Sequence, residues 1–133
     1  MKDMTAAVII KDKTVLLVHN IKHKGLRVEP PGGKKETEDK TLEECVIREV
    51  QEELGITIEP EELFGVYETN SPEGKFQVYM YLSSIKSGSL MIREPNKISR
   101  YEWCSFQDLL RLKEQGVLVP NLCSALDKLR TYL

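Results

Sequence analysis

Apolar and polar positions along the first twenty residues follow the pattern of strands. Met4–Lys11 and Thr14–Asn20 are rich in β-branched residues and flank a short Asp12-Lys13 break, so together they read as a hairpin. Ile21–Leu26 is polar and basic and contains Gly25, which predicts an exposed loop. Arg27–Pro30 reads as a short extended piece, because residues before proline avoid the helical region. Pro31-Gly32-Gly33 then opens a loop running to Lys40. At Thr41 the pattern turns helical. Thr41-Leu42-Glu43-Glu44 is a capping box, with Thr41 as N-cap and Glu44 reaching back. This helix runs to Leu54, where Gly55 suits the left-handed residue beyond its end.

Two further strands are predicted at about Leu63–Thr69 and Lys75–Ser83, with turn chemistry in Ser71-Pro72-Glu73-Gly74 between them. Arg100–Cys104 reads as another short strand. Ser105 and Asp108 form a second capping box for a helix ending near Gly116, and Asn121 is the expected N-cap of a last helix through Tyr132. There is no repeat, low-complexity segment or linker. The expectation is α+β: a mixed sheet with two or three helices, layered α/β/α, in a single domain over residues 1–133.

A net charge of −2 over 133 residues indicates no bulk attraction to nucleic acid or to an anionic membrane. A polyanionic ligand would therefore need local bases and a metal for counter-charge. Cys45, Cys104 and Cys123 are widely spaced and form no C-x-x-C pair, which with no secretory signal fits a reducing cytoplasm. Cys45 and Cys123 fall in apolar helical patterns and are expected to be buried. No apolar stretch approaches membrane-spanning length.

The chemistry concentrates in Arg48-Glu49-Val50-Gln51-Glu52-Glu53-Leu54-Gly55-Ile56. Glutamates at i, i+3 and i+4 share one patch of a helix, where like charges repel unless a cation joins them. With Leu42 at 0° and about 100° per residue, Leu42, Val46, Val50 and Leu54 form an apolar stripe to about 120°. Glu53 falls near 20°, inside that stripe, Glu49 near 340° at its border, and Glu52 near 280°. Carboxylates at a core edge require a partner. Arg48 can pair with Glu52 at i+4 and orient it.

Gly33 followed by Arg48-Glu49-Val50-Gln51-Glu52-Glu53-Leu54-Gly55-Ile56 resembles the Nudix hydrolase signature, G-x5-E-x7-R-E-U-x-E-E-x-G-U, where U is a bulky aliphatic. The second half matches at every specified position. The first half departs: the loop holds one extra residue, so the first acid is Asp39 or is missing, with Glu36 or Glu38 as substitutes. The resemblance implies an α/β/α sandwich around a mixed sheet. It also implies a site in which Glu49, Glu52 and Glu53 bind Mg²⁺ (or Mn²⁺), with the Gly33 carbonyl as a further ligand. Lys34 would touch a phosphate, and Arg48 would orient a ligand glutamate. Glu53 is favoured as the general base, with Glu94 or Glu102 as rivals and Glu52 beside it in the catalytic set.

Glu94-Pro95-Asn96-Lys97 followed by Tyr101-Glu102-Trp103 is similar to a region of small nucleoside triphosphate pyrophosphatases, and with the short length it points to the MutT-type branch. That branch converts nucleoside triphosphates, sometimes oxidised ones, to monophosphate and pyrophosphate. Asn121 would then read a base edge or act as a plain N-cap, and Arg27 would meet phosphate, base or solvent. Phe76 lies on one face of its strand and Tyr79 and Tyr81 on the other, so one set lines the cleft and stacks on a base. His19 and His23 lack metal-ligand spacing. A nucleotide is the expected small-molecule partner, with a homodimer also compatible with the resemblance. Nucleotide sugars, ADP-ribose or dinucleotide polyphosphates are the alternative substrates, and a nucleotide-binding domain without turnover is the alternative of another class.

Overall fold

Side-chain parity along β1 (Lys2–Lys11) and β2 (Thr14–Asn20) sets the layering of the chain, whose computed structural model describes residues 1–133. Ala6 and Val8 face one side of β1, Ala7 and Ile9 the other, and all four are buried. Strands covered on both faces read as near-continuous apolar runs, which is how this hairpin reads. Asp12 and Lys13 join the two strands with positive φ at both positions (49° and 61°), the turn whose twist matches paired strands.

β1 is also the axis of the sheet. It runs parallel to β6 (Gly74–Ser87), from Lys2 opposite Phe76 to Ile9 opposite Ser83. Its other edge pairs antiparallel with β4 (Gly32–Lys34) and, at its far end, with β2. β2 in turn holds β3 (Arg27–Glu29) and β7 (Ile98–Cys104), while β6 forms a long hairpin with β5 (Thr57–Ser71). The sheet is therefore mixed. α1 (Leu42–Leu54) covers one face with Val46, Val50 and Leu54. α2 (Phe106–Glu114) and α3 (Pro120–Leu129) cover the other with Leu109, Leu122 and Leu129. A 3₁₀ turn, Arg130–Tyr132, ends the chain. The layers are α/β/α and the class is α+β.

Several boundaries depart from the sequence expectation. β5 begins at Thr57 rather than Leu63, and contains register shifts between Pro60 and Glu62 and between Leu63 and Gly65. β5 is an edge strand, where proline and bulges are tolerated. Gly32–Lys34, expected as loop, is strand β4. Asn121 is not an N-cap: Val119 holds that position and Pro120 follows at the first helical residue, which places Asn121 inside α3. Cys45 is fully buried, whereas Cys123 is half-buried.

β4 fixes the loop before α1 by packing without side chains. A Cβ on Gly32 would lie 2.1 Å from the Thr5 carbonyl oxygen and 2.7 Å from the Ala6 Cα, both backbone atoms of β1. A Cβ on Gly33 would instead lie 2.4 Å from Cδ of Glu49, at the movable end of a side chain. Gly32→Ala should therefore cost at least about 2 kcal/mol, because two paired strands must separate. Gly33→Ala should cost no more than about 1 kcal/mol while displacing the Glu49 carboxylate. Denaturant unfolding of the two variants checks this, and equal losses would contradict it.

Candidate functional site

α1 forms where its signals coincide. Thr41 Oγ1 accepts from the Glu44 N–H at 3.0 Å, the Glu44 carboxylate accepts from the Thr41 N–H at 3.1 Å, and Gly55 closes the helix in the left-handed region at φ 71°. The buried stripe so presented contains Cys45, Val46, Val50 and Leu54, and with them Glu49 and Glu53. Glu53 is only 1% exposed. Each of these carboxylates has acquired an organic cation.

Arg48 serves the first group. Its Nε and Nη2 donate to the two oxygens of Asp39 at 2.9 and 2.8 Å, a fork-to-fork pair. Its Nη1 donates to Glu49 at 2.9 Å and to Glu52 at 3.1 Å, and its Nη2 also donates to the Lys34 carbonyl at 3.3 Å. Asp39 is thus the acid of the lengthened loop. Glu36 only approaches Arg48, at 3.8 Å, and Glu38 makes none of these contacts. The hydrogen bonds from Arg48 hold Asp39 well below the ordinary carboxylate range, and the same bonds raise Arg48 above its own. Burial, above all, raises Glu49 against the pull of Lys97 and Arg48.

Lys97 serves Glu53. Its Nζ donates to Glu53 Oε2 at 2.7 Å, while the Gly32 N–H donates to Oε1 at 3.3 Å. Burial pushes Glu53 up to about 8 even though the ammonium draws it down. Burial lowers Lys97 as well, but Glu53, then Glu49 and Glu94, outweigh it and leave the ammonium above its ordinary value.

A cavity of about 750 Å³, within the range of small-molecule sites, is bounded by Glu49 and Glu52 of α1, the 93–97 turn and the β5–β6 hairpin. Gly33, Lys34, Arg27, Phe76 and Asn121 also line it. Glu53 does not, since Gly32 and Lys97 stand in front of it. Tyr79 is not brought to the cavity either: it lies on the opposite face of β6 and packs in the α1-side core. The parity of Phe76 and Tyr79 was readable; which face held the cleft depended on where the helices docked. Lys34 is engaged by Glu73 at 2.6 Å, and Arg27 Nη2 donates to the Asn70 carbonyl at 3.5 Å. Of the rival bases, Glu94 lines the cavity and has a buried Oε1 without a partner. Glu102 lies outside it, paired with His19 at 2.7 Å and Arg100 at 3.3 Å.

Two participants escaped the sequence reading. Lys97 stands in the quoted Glu94–Lys97 stretch, yet nothing local signals that it reaches Glu53, 44 positions earlier. Glu29 is a cavity residue that accepts from Asn20 Nδ2 at 3.1 Å and is raised chiefly by burial. Its alternation with buried Val28 was the available signal.

The donor chemistry fits a hard divalent cation: carboxylate oxygens at i, i+3 and i+4, plus a Gly33 carbonyl whose side-chain contacts, from Thr5 Oγ1 (3.5 Å) and Cys45 Sγ (3.7 Å), are long. As the side chains stand, no three His, Cys, Asp or Glu groups converge to ligating distance. Arg48 and Lys97 account for this, because they hold the carboxylates to themselves. Metal uptake here would be an exchange of partners.

The NUDIX domain family model matches residues 1–121. Among solved structures, a NUDIX hydrolase from Nitrosomonas europaea is 23% identical with a TM-score of 0.81, covering 96% of this chain and 86% of its own. A MutT NUDIX hydrolase from Burkholderia pseudomallei is 27% identical with a TM-score of 0.72, covering 80% and 84%. The MutT protein from Methanosarcina mazei Go1 is 22% identical with a TM-score of 0.78, covering 96% and 91%. No curated protein is similar enough to match.

Two carboxylates should give the metal-free chain opposite pH responses. The contribution of Asp39 is present above its ordinary value of 3.8 and is lost as pH falls below it toward the depressed folded value. Asp39→Asn should therefore cost about 2 kcal/mol at pH 7 and flatten the acid limb of the stability curve. The raised value of Glu53 works the other way: stability falls as pH climbs from 4.5 to about 8. Thermal melts in chelator should show that fall in the wild type and less of it in Glu53→Gln. Parallel curves for wild type and variant would contradict the assignment.

Proposed function

We propose that this chain, which belongs to the Nudix family and is a hydrolase of pyrophosphate bonds, cleaves nucleoside triphosphates to monophosphate and pyrophosphate. Mg²⁺ (or Mn²⁺) would be held by Glu49, Glu52 and Glu53 with the Gly33 carbonyl. The observation that carries this reading is the joining, in one cavity, of the Glu49/Glu52 wall with a pocket bearing Phe76 and Asn121. A triphosphate needs acidic residues for its cation at one end and a base site at the other. A divalent cation bound there neutralises charge that develops on phosphate oxygens as the P–O–P bridge opens.

The chain's own residues supply the rest. Arg48 keeps Glu49 and Glu52 at fixed positions on α1. Lys34 and Arg27 face the cavity as cations for the phosphates. The Asn121 amide offers both a donor and an acceptor to a base edge, and Phe76 offers an apolar wall. Water attacks one phosphorus and displaces pyrophosphate, and Glu53, whose carboxyl burial raises to about 8 in the metal-free chain, takes the proton. Glu53 becomes reachable only when Lys97 leaves it. Asp39 keeps the loop tied to Arg48 despite the altered first half of the signature, which favours turnover over binding alone. The three cysteines are free, and we place the chain in the reducing cytoplasm.

The test is product analysis with Mg²⁺ across nucleoside triphosphates, oxidised nucleoside triphosphates, nucleotide sugars, ADP-ribose and dinucleotide polyphosphates. Monophosphate plus pyrophosphate is expected, and Glu53→Gln should lower turnover by about 10²–10⁴. Turnover that survives in Glu53→Gln but is lost in Glu94→Gln would transfer the base role to Glu94. Products from sugar or dinucleotide substrates alone would overturn the triphosphate reading.

A further inference from the structure

Lys97 is placed where a metal ion would have to be. Its ammonium is 2.7 Å from Glu53 Oε2, and the other Glu53 oxygen is taken by the Gly32 N–H. The same ammonium lies in the field of Glu49, Glu94 and Glu29. It therefore links the acidic groups behind and beside the cavity wall. Glu53 is 1% exposed, so in the absence of a metal its charge has no solvent to fall back on.

The lysine backbone cannot move to make room. The Lys97 N–H donates to the Glu94 carbonyl at 2.9 Å, its carbonyl accepts from the Ile21 N–H at 2.8 Å, and the next residue, Ile98, is fully buried. The side chain can move: it is part-exposed and lines the cavity. A four-carbon stem with a point charge suits such a swing, where the planar fork of an arginine would not.

We propose that Lys97 is a resident counter-ion that stands in for the divalent cation at Glu53 and is displaced by it into the cavity, where its ammonium becomes a ligand for substrate phosphate. The inference rests on the metal reading of Glu53 above and extends it to a residue outside the signature. Nζ already occupies Oε2 at 2.7 Å, so a cation ligated there competes with the ammonium, and two cations repel at such short range. Once displaced, the ammonium faces the space where the phosphates are to lie. Metal loading and phosphate binding then favour each other, by the reciprocity of linked equilibria.

The test uses the wild-type chain and an amine-acylating reagent, with modification of each lysine read by peptide mass spectrometry. Calorimetry on the same samples follows Mg²⁺ uptake. In chelator, Lys97 should react slowly because its ammonium is tied to Glu53. Saturating Mg²⁺ should speed its modification about tenfold, the scale expected for loss of one close ion pair. Lys86, exposed on β6, should not change. Calorimetry of Lys97→Met should show Mg²⁺ bound about tenfold more tightly, because the competitor is gone. Mg²⁺ uptake with unchanged Lys97 reactivity, or a variant that binds Mg²⁺ no more tightly, overturns the displacement while leaving the metal site intact. A wild-type chain that takes up no Mg²⁺ overturns the metal reading and the displacement together. Labelling of the wild type decides the matter even if the variant folds poorly.

Discussion

Charge cannot be left unpaired at the apolar edge of a helix, and α1 carries Glu49 and Glu53 there. Much else in the molecule answers that constraint. Arg48 reaches Glu49 and Glu52 on its own helix, Asp39 in the preceding loop and the Lys34 carbonyl at the end of β4. One guanidinium thereby sets the path of the loop relative to the helix. Lys97 does the same for Glu53 from the opposite wall and ties the turn before β7 to the interior of α1. The lack of side chains at Gly32 and Gly33 lets β4 approach β1 and Glu49 closely enough for both arrangements.

A structural ion-pair network and a site for a divalent cation require much the same carboxylates, and on the metal reading proposed above they compete for the same oxygens. That competition explains why three glutamates at helical spacing do not already converge. The buried position of Glu53 is met within the same network: burial raises its carboxyl, and the Lys97 ammonium 2.7 Å away draws it down. On the metal reading the family's reaction, hydrolysis of a pyrophosphate bond, belongs to the rearranged state of the site.

The sequence was most legible where every signal was local. Thr41, Glu44, the apolar stripe and Gly55 all lie within one helix and agree, so α1 and the inward tilt of Glu49 and Glu53 were readable in advance. The hairpin and the alternating faces of β6 were readable for the same reason. Pairings across long sequence gaps were not. Gly32–Lys34 becomes a strand only because β1 lies beside it, and glycines carry no strand signal. Lys97 meets Glu53 only through the fold. Asn121 does not cap α3, because Pro120 before it is the stronger signal for a first helical residue.

The central claim is that α1 presents a cation site whose ligands are now held by Arg48 and Lys97. Electron paramagnetic resonance of a Mn²⁺ titration addresses it without reference to any substrate. The wild type should bind Mn²⁺ at a saturable site from which Mg²⁺ displaces it, and Glu49→Gln and Glu52→Gln should each weaken that site by about tenfold or more. Mn²⁺ binding that is equally strong in both variants would contradict the claim and leave the three glutamates as a purely structural network.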